Sequence, residues 1–169
     1  MRRSGIIILN IFAALWAVLA LYEAQQPWWE MLFPAFLSVG LINWAMVRTA
    51  NDAKPDPEVR KRTMRVVAMA SAAEGLLIFV AVNVLAYLHR QDLTVAVIAV
   101  IVGIHFWPLA RGLKAPIYWT TGLVMVLVAI GCVLGIAAQP LRDVAIAFGS
   151  AIILWLSACA VVLMPRKEV

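Results

Sequence analysis

Two ionisable residues stand in this chain where their neighbours offer them no water. Glu74 interrupts the run Ala68-Met69-Ala70-Ser71-Ala72-Ala73-Glu74-Gly75, and His105 interrupts Gly103-Ile104-His105-Phe106-Trp107-Pro108. A carboxyl and an imidazole are suited to passing a proton or holding a cation near neutral pH. The polar turn His89-Arg90-Gln91-Asp92 joins the two runs. Glu74 lies 15 residues before His89, and His105 lies 13 after Asp92. At a helical rise of about 1.5 Å per residue, both sit roughly 20 Å from that turn. A pair of adjacent antiparallel helices would hold the acid and the imidazole at one level.

An ionised carboxylate in hydrocarbon costs several kcal/mol unless it faces a partner or a cavity. The expected role of Glu74 is therefore proton carrier, cation site or substrate contact, weighed against a plain packing hydrogen bond. Pro108 removes a helical hydrogen bond beside His105 and is expected to bend the helix there. Asn43, Thr120 and Thr121, with Tyr118, fall at a similar depth by counting. Together with Glu74 and His105 they are candidates to line one cavity open to the cytoplasm. Asn83 lies nine residues past Glu74 and points to the opposite helix face.

Other chemistry is not expected. Zinc takes three or four ligands, and His105 has no second histidine or acidic cluster within the apolar runs. No cofactor motif is present. Ser38, Ser71, Ser150 and Ser157 lack a triad, and there is no Gly-x-Ser-x-Gly or phosphate loop. Cys132 and Cys159 read as small buried hydrophobes near opposite membrane faces, too far apart for a disulfide.

The elements that must position these residues are long. Of 169 residues, 64% are apolar and 14% charged, against about a quarter charged in soluble domains. The apolar residues fall into six runs, at about 6–22, 31–47, 66–88, 93–110, 117–138 and 144–164. A stretch of about 20 such residues spans a bilayer core of roughly 30 Å. In lipid every backbone group needs an internal partner, and the runs lack the alternation of a membrane barrel. The fold expected is an all-α integral membrane domain of six transmembrane helices, residues 1–169. The first run is expected to be a retained helix rather than a cleaved signal peptide. Residues 48–65 read mainly as a loop, and Gln139-Pro140-Leu141-Arg142-Asp143 as a turn. Asn10 is expected to serve helix packing, and Trp28, Trp29, Trp107 and Trp119 to lie at the membrane interface.

The basic residues give the threading. With six spans both termini share one side, which collects Arg2, Arg3, Arg48, Lys54, Arg60, Lys61, Arg62, Arg65, Arg111, Lys114, Arg166 and Lys167. The other side has Arg90 and Arg142. Twelve against two places both termini in the cytoplasm under the positive-inside rule. The net charge of +5 then reflects topology and contact with the lipid bilayer, and nucleic acid is not expected as a partner. Gly131-Cys132-Val133-Leu134-Gly135 is a Gly-x-x-x-Gly match, a weak signal for a homo-oligomer.

Glu74-Gly75-Leu76-Leu77-Ile78-Phe79 and Val102-Gly103-Ile104-His105-Phe106-Trp107-Pro108-Leu109-Ala110 resemble a segment of a group of small uncharacterised bacterial six-helix integral membrane proteins. Their third and fourth helices carry Glu-Gly and Gly-Leu-His-Phe-x-Pro-Leu-Ala, with Ile104 here in place of leucine. The resemblance covers about a quarter of the chain. It implies no activity, only that Glu74 and His105 belong to one recurring design. It extends to neither the small drug exporters nor the tryptophan-rich porphyrin-binding sensors. The expected function is a binding or transport protein for a small solute or proton in the bacterial cytoplasmic membrane, rather than an enzyme. The alternatives are an accessory protein acting through helix–helix contacts and an intramembrane lipid-modifying enzyme.

Overall fold

The structure is a computed structural model and describes residues 2–50 and 56–164. Lys54, Arg166 and Lys167 lie outside the described residues, as do part of the 48–65 segment and the chain's last five residues. The described residues form six α-helices and no strand: α1 (Arg2–Glu23), α2 (Phe33–Arg48), α3 (Pro57–Tyr87), α4 (Thr94–Leu113), α5 (Ile117–Gly135) and α6 (Gln139–Leu163). With short 3-10 turns counted onto α2 and α4, all six are long and apolar enough to cross a membrane.

Two expected loops are helix instead. Pro57–Arg65 is the start of α3, not a loop. Asp56 caps it by accepting from the Glu58 N–H at 2.8 Å, and Pro57 occupies the first turn. Residues 139–143 open α6, with Pro140 in its first turn. In both places proline starts a helix, because the first-turn N–H it lacks would have had no intrahelical acceptor. Conversely, the fifth run stops at Gly135, and the chain is extended at Ile136 and Ala138. α4 continues through Pro108 to Leu113.

The spine is the pairing of α1 with α6, the most extensive in the bundle. α1 buries Ile6, Leu9, Ala13, Trp16, Ala17 and Ala20, a stripe at helical spacing. α6 answers with Ala147, Ser150, Ala151, Leu154 and Ala158. Small residues on both sides let the backbones approach closely. Polar atoms fix the join to α2: Trp155 Nε1 donates to Ser38 Oγ at 3.0 Å, and Ser38 donates to the Asn10 carbonyl at 2.9 Å. Asn10 itself donates to the Ile6 carbonyl and is buried.

α4 is the second hub, packing on α3, α5 and α6. Its crossing with α5 is set by two glycines. A methyl group at Gly103 would meet the Gly122 carbonyl at 2.9 Å, and one at Gly122 would meet the Gly103 carbonyl closer still. α3 is peripheral. It packs on α4 and the turn before it, and nearly all its other large apolar side chains, among them Met69, Leu76, Phe79 and Val80, are exposed.

Contacts between chain segments show which ends lie together. Arg3 donates to the carbonyls of Thr49 and Ala50 just past the end of α2. Gly5 lies against the Tyr118 hydroxyl, and Gly112 against Val66. These contacts gather the start of α1, the ends of α2 and α4, the start of α5 and the early part of α3 at one basic end. At the opposite end Arg142 donates to the Asp92 carbonyl, and its guanidinium lies 3.9 Å from the Asp92 carboxylate and 3.6 Å from that of Asp143.

Candidate functional site

α3 and α4 run antiparallel from the turn at residues 88–93, so the acid and the imidazole at equal depth meet. His105 Nδ1 lies 3.4 Å from Glu74 Oε2 and 3.2 Å from the Ala70 carbonyl oxygen. Both side chains are one-tenth exposed. A carbonyl oxygen only accepts, so a hydrogen bond to Ala70 requires the hydrogen on Nδ1. With Nδ1–H donating to the Ala70 carbonyl, the Glu74 carboxyl lies beside the ring at ion-pair distance, and Nε2 is left to accept or carry a second proton. The ring is further held edge-on against Phe106, centroids 5.9 Å apart.

The pair lines a small cavity of about 70 Å³. Its floor is α4, through Val102, His105 and Phe106, with Leu154 of α6. One wall is α1, through Ile8, Leu9 and Phe12; the other is α3, through Val67, Ser71 and Glu74. Ser71 and Val67 precede Glu74 by three and seven residues, which puts all three on one face of α3. Tyr118, from the start of α5, lies at the basic end of the cavity and is itself buried.

Of the residues proposed from sequence, the structure brings Glu74, His105 and Tyr118 to this cavity and leaves the others elsewhere. Asn43 is exposed on α2, which packs on α1 and α6. Thr120 is exposed and donates to the Ile117 carbonyl at 2.7 Å. Thr121 is buried, donates to the same carbonyl at 2.9 Å and shares a 2.7 Å hydrogen bond with Ser157. It joins α5 to α6. Asn83 is exposed and donates to the Phe79 carbonyl. Ile8, Phe12 and Ser71 were not singled out as site residues; for Ser71 the three-residue spacing from Glu74 was a usable signal, but for α1 there was none.

Trp107 and Trp119 stack on one another at 5.9 Å, with Arg111 over the Trp119 ring at 5.1 Å. This cluster marks the basic end of α4 and α5. No group of three metal-ligating side chains occurs among the described residues.

Comparison with protein-family models finds no match to this chain, and comparison with curated proteins and with solved structures finds none either.

Proposed function

We propose that the chain is a multi-pass protein of the bacterial cytoplasmic membrane, with both termini in the cytoplasm, that binds or transports a cationic or proton-linked solute at Glu74 and His105. The observation that carries this reading is the 3.4 Å approach of two ionisable side chains at the edge of a cavity between helices. A pair serving packing alone has no need of a cavity. The basic end, where α1 begins and α4 ends, is the cytoplasmic one on this reading, so the site lies in the cytoplasmic half of the bilayer. The exposed apolar faces of α2 and α3 support insertion, since a soluble surface would not carry apolar area on that scale.

The test is proton movement into proteoliposomes containing the full chain under an imposed pH gradient. The wild-type protein dissipates the gradient faster than empty vesicles, and Glu74→Gln abolishes the difference while eluting as the same folded species. Equal rates for the two proteins would end this reading.

A second reading has its own observation. Nothing lies within 4 Å of a methyl group placed at Gly131 or Gly135, so the Gly-x-x-x-Gly face of α5 is open. An accessory protein would offer such a face to another helix, that of a partner or of a second copy.

A further inference from the structure

Access to the cavity decides what it takes. Its basic end is lined by Gly5, Leu113 and the buried Tyr118, whose hydroxyl packs against Gly5. Its exposed rim is at the side, where Ile8 and Phe12 of α1 are 42% and 40% exposed and Ser71 of α3 is exposed across from them. α3 rests on α4 and makes no extensive contact with α1. The gap between α1 and α3 is therefore a cleft opening towards the surroundings of the bundle, which on the reading above is lipid.

We infer that the ligand is a membrane-dissolved amphiphile with one cationic nitrogen and a single apolar chain, reaching Glu74 sideways between α1 and α3. This rests on the reading given under Proposed function and names its substrate class. The chemistry follows from the lining. Glu74 is the acidic side chain in the cavity, and its carboxylate accepts from an ammonium in a charge-assisted hydrogen bond. His105 Nδ1–H already donates to the Ala70 carbonyl, so the carboxyl oxygens of Glu74 are left to an incoming cation. An anionic headgroup would meet the carboxylate's charge. Ile8, Phe12 and Val67 give the chain an apolar bed. A volume of about 70 Å³ holds a small headgroup and a few methylenes, not a two-chain lipid.

The experiment is equilibrium binding of radiolabelled dodecylamine, dodecanol and dodecanoate to the full chain in lipid nanodiscs, with methylammonium as a soluble competitor. Dodecylamine is expected to bind about tenfold more tightly than dodecanol, the increment of one charge-assisted hydrogen bond, and dodecanoate more weakly than either. Glu74→Gln removes the preference for the amine. Ser71→Phe, a change at an exposed position on the cavity rim, blocks dodecylamine binding while the variant elutes as the same folded species. If methylammonium binds as tightly as dodecylamine, or Ser71→Phe leaves amine binding unchanged, lateral capture of an amphiphile is overturned while the Glu74 site stands. If the three chains bind equally, the cleft holds only bilayer lipid and the inference is overturned. If no amine binds and the wild type shows no flux, both readings fall.

Discussion

Gly103 and Gly122 approach so closely that a methyl group on Gly122 would overlap the Gly103 carbonyl oxygen. This crossing fixes α5 against α4 two residues before His105, and so fixes the floor of the cavity. Gly122→Ala is expected to destabilise the fold by about 1–3 kcal/mol, because the obstructing atom is backbone and cannot rotate away. Gly131→Ala, with nothing within 4 Å, should change stability by less than about 0.5 kcal/mol. Denaturant unfolding in micelles separates the two. Equal effects would mean that the α4–α5 crossing is not the tight one.

Arg142 and Asp143 are buried at the end of the bundle remote from Arg3, where Arg142 ties α6 to the turn that joins α3 and α4 and Asp143 lies beside its guanidinium. Arg142→Met strands the Asp143 carboxylate and is expected to cost about 3–5 kcal/mol. The double variant Arg142→Met with Asp143→Asn should recover part of that loss, because no buried charge is left unpaired. A double-mutant cycle on the unfolding midpoint checks this. A double variant as unstable as the sum of the singles would show that the ion pair is not what the cluster contributes.

Orientation has its own test. A cysteine replacing the exposed Gln91 should react with a membrane-impermeant maleimide added outside intact cells, and one replacing the exposed Arg62 should not. The reverse pattern would place the basic end outside and remove the cytoplasmic assignment of the site.

The meeting of Glu74 and His105 was legible because one short turn sets the register of two adjacent helices, and depth then follows from counting. Six apolar runs were legible for a similar reason: their length and lack of charge leave few alternatives. The helix starts at Pro57 and Pro140 were not read, because proline looks like a breaker unless its place in the first turn is known. Asn43, Thr120 and Thr121 were grouped with the site by depth alone. Depth says nothing about which face of a helix meets which neighbour. That choice is made by the alanine stripes of α1 and α6 and by the Gly103–Gly122 contact, and in a run apolar on all sides such small residues do not stand out. The α1 wall of the cavity, with Ile8 and Phe12, is a product of the same packing.

The proposal stands or falls on Glu74 and His105 acting as one unit. The direct measurement is a double-mutant cycle on proton flux in proteoliposomes, using Glu74→Gln, His105→Asn and both together. Groups that act as a unit are strongly non-additive. Each single substitution is predicted to reduce flux as far as the double does. If His105→Asn leaves flux intact, or the two losses simply multiply, the two side chains work separately and the account is wrong.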